Sequence, residues 1–351
     1  FMKGRKIFAL ILATALAAIS FAGCGGGGSA TSEEDGADYP TYKLRLSTLV
    51  NDEHVLAKSA YRFADSVYQA TDGDIEITVY SSNQLGDYSA VYDELKMGSI
   101  DLAWQTIPDT YDRRANLGMA PYLSMDYDDV AELYCNQDSW FFKEMKEVNA
   151  NQGVALLGIV PNGFMGIGAK KLGNLDTLFD VTKKQDALIR SAAIDTLIAQ
   201  VEAFGFRTTT IPYADLYSAL QTGVADGWYG GSLISNNVGF KDVISYFVEY
   251  KGTNEPMGML MSTQSLESLP AEYQDLLLEM AQEENKKVLE DVKTAEQDAK
   301  TALEEYGVEI ITPTDEELQA VAKAVRAQVY PLFAEDFGEE LMDEINTWVE
   351  Q

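Results

Sequence analysis

From Tyr42 onward the apolar residues of the chain switch repeatedly between two periods. Leu44, Leu46 and Thr48 alternate with Arg45 and Ser47, as in a half-buried strand, and Leu56, Ala60, Phe63, Ala64 and Val67 follow at helical spacing. The Asp72-Gly73-Asp74 turn then leads to Ile75, Ile77 and Val79, a second strand. Tyr88, Val91, Tyr92 and Leu95 mark one face of a second helix, ended by Gly98. Ile100, Leu102 and Trp104 give a third strand. Strand and helix alternating over about sixty residues predict an α/β layer with a mostly parallel sheet.

The pattern restarts farther on. Apolar strands are predicted at 154–160 and 187–190, followed by a helix carrying Ile194, Leu197, Ile198, Val201 and Phe204. A short strand at 208–211 passes through Pro212 into a helix with Leu216, Leu220 and Val224, and 257–261 is a later apolar strand. Two α/β cores follow, each needing at least one crossing segment. From Pro270 to Tyr306 helix breakers are nearly absent, so the segment reads either as two helices with a kink or as one helix of about 50 Å bracing both cores.

The N-terminus bears on the compartment. Lys3, Arg5 and Lys6 precede an uncharged run over 7–22, too short and too rich in alanine for a membrane span and suited to the apolar region of an export signal. The segment ends in Phe21-Ala22-Gly23-Cys24, which resembles the bacterial lipobox. A signal peptide is therefore expected at 1–23, with Cys24 as the lipidated first residue of the mature protein; an ordinary secretory peptide with an incidental cysteine is the alternative. Residues 24–41 read as a solvated tether, for Gly25 to Gly28 and the Ser/Glu/Asp-rich stretch behind them offer little apolar surface to pack.

Composition removes several function classes. The 351 residues carry 56 acids against 26 Lys and Arg, a net charge of −30, so a phosphate backbone would be repelled and nucleic acid is not expected as a partner. With one histidine, His54, and two cysteines, a Cys/His zinc site has no material and a Ser/His/Asp triad could form only at position 54. Once Cys24 is lipidated, Cys135 has no disulfide partner and is expected as a small buried residue. Neither G-x-S-x-G nor a dinucleotide fingerprint follows the first strand, so an enzyme is not expected.

The segments KLRLST, TDGDIEITVYSSNQLGD, ELKMGSIDLAWQ, VPNGFMGIG, ALIRSAA and TTTIPYADLYSALQTGVADGWYGG occur in one order along the chain. In order and spacing they resemble the solute-binding proteins of TRAP transporters, the tripartite ATP-independent periplasmic uptake systems. The resemblance covers nearly all of the chain from Tyr42 onward. It implies an α/β fold of two lobes closing on a solute like a clamp, each lobe a mixed, mostly parallel sheet flanked by helices, with a long helix along both. Lobe I is expected at 42–162 and 254–296, lobe II at 163–253 and 297–351. The resemblance also implies a monomer without cofactor that delivers its solute to a permease of one small and one large membrane subunit.

Carried over position by position, the resemblance puts the ligand-gripping arginine at Arg190, whose guanidinium fork takes a carboxylate through two parallel hydrogen bonds. Taken alone, an arginine ending a strand is more often a structural ion pair. Met165 stands where many members carry a second arginine, and its thioether cannot hold a second carboxylate. Leu49, Tyr88, Thr106 and Gly230 fall at further pocket positions, all apolar or neutral. Tyr213, Trp228 and Phe164 are expected as aromatic walls, although such residues beside turns also serve as core plugs. Gln105, Asn162, Asn83 and Asn236 are candidates for the polar contacts. His54 is expected to cap a helix or sit at a hinge, and Asp101 and Asp226 to accept backbone hydrogen bonds in turns.

These assignments lead to an expected ligand: a monocarboxylate with an apolar or aromatic body, its carboxylate on Arg190. A C4-dicarboxylate, with Lys170 or Lys171 supplying the second cation, is the alternative within the same system. A sensory binding protein serving a receptor kinase is the alternative of another class.

Overall fold

The computed structural model describes residues 41–351; the expected signal peptide, the tether as far as residue 40 and Cys24 lie outside the described residues. β1 (Tyr42–Thr48), α1 (Val55–Ala70), β2 (Ile75–Tyr80), α2 (Tyr88–Lys96) and β3 (Leu102–Gln105) follow the predicted alternation. Local chemistry sets their limits: His54 caps α1 through Nδ1, and Asp87 caps α2 by accepting the N–H groups of Ser89 and Ala90. A connecting region holds a 3₁₀ turn (Arg113–Met119), α3 (Tyr127–Val130) running into a π turn (Ala131–Cys135), and α4 (Trp140–Ala150), whose cap is Ser139. Cys135 is a free, partly buried thiol there, pushed up to about 12 by burial.

The chain continues through β4 (Val154–Phe164), β5 (Gly166–Ala169), β6 (Leu188–Ser191), α5 (Asp195–Ala203), β7 (Arg207–Thr210), α6 (Tyr213–Thr222), β8 (Gly227–Gly231), α7 (Leu233–Gly239) and β9 (Tyr246–Val248). After these come β10 (Asn254–Ser262), α8 (Thr263–Glu267), α9 (Ala271–Tyr306), β11 (Glu309–Ile311) and α10 (Asp315–Val349). The breaker-free stretch is one helix: α9 runs 36 residues before Gly307, at φ +102°, stops it in the left-handed region. α10 is opened by a Thr314–Glu317 capping box and interrupted at Gly338.

Two mixed sheets result, ordered β2-β1-β3-β10-β4 and β11-β9-β5-β8-β6-β7. Within each, a single strand is reversed. β10 is antiparallel to both β3 and β4, and β5 to both β8 and β9, while the remaining ladders are parallel. The reversed strands share a position in the chain. β5 and β10 are the strands that enter their sheets directly after the chain crosses from one lobe to the other.

The crossings lie side by side. Met165 N–H donates to Thr253 C=O at 2.8 Å, and Asn254 is the register partner of Phe164. α9 braces this junction: Glu296 accepts the Phe164 N–H at 2.9 Å and the Tyr127 hydroxyl at 2.6 Å. The same helix packs on β4 and α1 of the first lobe and on α7 and β11 of the second. Gly163 is required here, at φ +85°, because a Cβ would stand 2.6 Å from the Glu296 carboxylate and 2.7 Å from Ser232.

Candidate functional site

In open α/β sheets, ligands bind beyond the carboxyl ends of the parallel strands. Both sheets here send those ends to one cavity of about 660 Å³, lined by Leu49 after β1, Thr106 after β3, Ala192 after β6 and Ile211 after β7. Asn162, near the end of β4, joins them. Because β10 is reversed, its first residues arrive at the same edge, and they bring Glu255 into the wall.

Arg190 lines the cavity with only 4% of its surface exposed. Its Nε donates to the Ile211 carbonyl at 2.8 Å, which fixes the plane of the guanidinium, and among the described residues no carboxylate lies within 4.0 Å of it. Burial pushes its pKa down to about 10, so the group stays charged at neutral pH. It is the cation among the cavity-lining residues. Lys170 and Lys171, the expected substitutes for a second arginine, are exposed and outside the lining, with Lys170 directed at the Gln221 carbonyl.

The aromatic wall is built from three rings. Trp228 is 1% exposed, packs on Phe240 at 4.7 Å and Tyr213 at 6.3 Å between ring centres, and donates its Nε1–H to Asn236 Oδ1 at 3.0 Å. Asn236 is held in turn by donating to the Ser232 carbonyl at 2.8 Å, so it orients the indole and does not line the cavity. Gly231 makes room for the ring, for a Cβ there would lie 1.9 Å from Trp228. Tyr213, the first residue of α6, and Tyr88, the first of α2, both line the cavity, as do Gly230 and Asn83.

Besides Asn236, three expected site residues fall elsewhere. Phe164 packs its ring edge-on to Tyr127 at 5.2 Å beside the crossing, and Met165 is buried in the core there, because the chain at that point passes between the lobes and not along the cavity. Gln105 donates to the Tyr88 carbonyl at 2.7 Å and anchors the start of α2 behind the wall. The turn acids act as expected: Asp226 accepts the Leu188 N–H and Asp101 the Arg45 N–H, each at 2.8 Å. His54 caps α1 and reaches Ser235, a cavity residue at the start of α7.

Glu255 was absent from the sequence-based expectations. It is 9% exposed, accepts from Thr106 Oγ1 at 3.0 Å and from Asn162 Nδ2 at 2.7 Å, and has no cation within 4.0 Å among the described residues. Burial raises its pKa against the opposing pull of those two hydrogen bonds and of Arg190. An acid and a proline standing immediately before an otherwise apolar strand, Met257 to Met261, were the only signal of it.

Residues 46–336 match the family described as bacterial extracellular solute-binding protein, family 7. The chain is 27% identical over 313 residues to the C4-dicarboxylate-binding periplasmic protein DctP of Vibrio cholerae, covering 86% of this chain and 89% of that one. The fold is similar to a TRAP periplasmic solute-binding protein of Desulfovibrio salexigens with bound orotic acid, at TM-score 0.78 and 22% identity, covering 88% of this chain and 98% of the other. It is also similar to a sugar-acid-binding protein of Advenella mimigardefordensis in complex with galactonate, at TM-score 0.80 and 18% identity, covering 89% and 99%.

Proposed function

The chain belongs to family 7 of the bacterial extracellular solute-binding proteins, the TRAP solute-binding proteins, and we propose that it captures a monocarboxylate with an apolar or aromatic body. The observation that carries this is a buried arginine without a counter-ion among the described residues, on the wall of a cavity otherwise lined largely by apolar and neutral groups. In this reading the carboxylate docks on the two terminal nitrogens of Arg190, and the body lies against Trp228, Tyr213, Leu49 and Met257. A dicarboxylate is disfavoured, since Lys170 and Lys171 stand outside the cavity and Glu255 inside it would oppose a second negative charge.

Capture proceeds by hinge closure: a solute touching both walls binds the closed form better and shifts the population toward it. We place lobe I at 42–162 and 254–296 and lobe II at 163–253 and 297–351, which puts the hinge at the paired crossings. The loaded protein passes its solute to a membrane permease of two subunits. It works outside the cytoplasmic membrane, held there by lipid on Cys24.

A thermal-shift screen of the purified protein against organic acids tests the reading, because a ligand of the folded state raises the midpoint according to its affinity. Stabilisation by monocarboxylates that Arg190→Ala abolishes is the expected result. Stabilisation confined to succinate or malate, or left intact in Arg190→Ala, would overturn it.

A further inference from the structure

Arg190 and Glu255 line the same cavity, both buried, and no ion pair joins them within 4.0 Å. Among the described residues, neither has the counter-ion that a buried charge ordinarily requires. The protein supplies Glu255 with neutral donors only, the Thr106 hydroxyl and the Asn162 amide, which aim the carboxylate without neutralising it. The Asn162 Oδ1 is closed off from the cavity, so of this pair the carboxylate of Glu255 is the group left to meet a solute.

One wall of the cavity thus offers a fixed cation with free N–H donors, and another offers a carboxylate held by neutral donors. Resting on the reading of Arg190 as the carboxylate site, we propose that the solute also carries a cationic nitrogen, taken by Glu255. The substrate class is then a zwitterionic amino, amidino or guanidino acid with an apolar body. An ammonium or amidinium meets the carboxylate with a positive charge as well as N–H donors, whereas a hydroxyl brings a donor without the charge. The other acid on the wall, Asp87, is exposed to solvent and caps α2 through Oδ1, so it does not share the burial that leaves Glu255 in need of a cation. A ligand holding both signs closes both open charges at once, which an uncharged-body carboxylate does not.

The test is calorimetric titration of the full chain with matched pairs that differ only in the nitrogen-bearing group: phenylalanine against 3-phenylpropanoate, 5-aminopentanoate against pentanoate, and 4-guanidinobutanoate against butanoate. The expected result is that at least one nitrogen-bearing member binds about tenfold or more tightly than its partner. Glu255→Gln should erase that preference. If the plain acids bind as well as or better than their aminated partners, and Arg190→Ala abolishes that binding, the inference falls and the carboxylate reading stands. If no member binds, or binding survives Arg190→Ala, the carboxylate reading itself falls. The matched pairs decide on the unmodified protein, so the outcome does not hang on the folding of the Glu255 variant.

Discussion

Arg190 and Trp228 are register partners on the neighbouring parallel strands β6 and β8, so their side chains leave the same face of the second sheet. The strand register alone sets the charge that would hold a carboxylate beside the ring that would hold its body. The fork of the arginine, not only its charge, is what this placement uses, since Nε is spent on the Ile211 carbonyl and the terminal nitrogens remain. Arg190→Lys should therefore fold normally by circular dichroism yet lose about 10- to 100-fold in affinity for an acid that the unmodified protein binds. Wild-type affinity in the lysine variant would mean that point charge suffices.

Gly231→Ala tests the wall. Its Cβ would meet the indole of Trp228 at 1.9 Å, and the ring can yield only by giving up its hydrogen bond to Asn236 and its packing on Phe240. Overpacking of this kind costs about 1–3 kcal/mol. The expected outcome is a lower unfolding midpoint with weakened binding. Gly230→Ala makes the contrast: nothing lies within 4 Å of its Cβ, and φ of +120° leaves backbone strain as the whole penalty.

The elements that build the walls were legible because their apolar periods are local. Arg190, Tyr213 and Trp228 were placed by the resemblance, position by position; taken alone, an arginine ending a strand reads as a structural ion pair and an aromatic beside a turn as a core plug. Phe164 and Met165 have the same local look, but whether a chain at that point skirts the cavity or crosses between lobes is decided by pairing with Thr253 and Asn254, about ninety residues away. Glu255 was missed for the same reason, since its place follows from the reversal of β10. α10 was not foreseen either: Pro331 and Gly338 break its pattern, and in the structure Pro331 lies inside the helix while Gly338, at φ +75°, interrupts it.

Glu296 makes the crossing sensitive to pH. Burial pushes its carboxyl from 4.5 up to about 7, although the Tyr127 hydroxyl and the Phe164 N–H favour the ionised form. A carboxyl raised in the folded state keeps its proton there longer than in the unfolded chain. Its stabilising contribution is complete below about pH 4.5 and is lost as pH rises through 7, on the order of 3 kcal/mol in all. Glu296→Gln should remove this component, which denaturant titrations at pH 4.5 and 7.5 would read as stability shifted toward the higher pH relative to the unmodified protein.

His54 works in the opposite direction. Its Nδ1 accepts the Leu56 N–H at 3.3 Å, so the neutral ring carries its proton on Nε2 and donates it across the cleft to Ser235 Oγ at 3.4 Å. Burial, with Lys58 adding to it, pushes the ring down from 6.5 to about 4. Between those values the unfolded chain takes up a proton that the folded one refuses, so stability falls as pH drops from 6.5 to 4, again by about 3 kcal/mol. The windows of His54 and Glu296 overlap with contrary slopes and largely cancel in the unmodified protein. His54→Asn keeps a cap for α1 but cannot reach Ser235, and it should unmask the Glu296 slope: relative to the unmodified protein, stability gained at pH 5 over pH 7. Glu296→Gln should unmask the reverse, and the double variant should track the unmodified protein. Ser235→Ala should leave the slope intact, because desolvation and not the hydroxyl depresses the ring. Parallel pH profiles for His54→Asn and Glu296→Gln would show that neither group titrates in the folded protein as its burial requires.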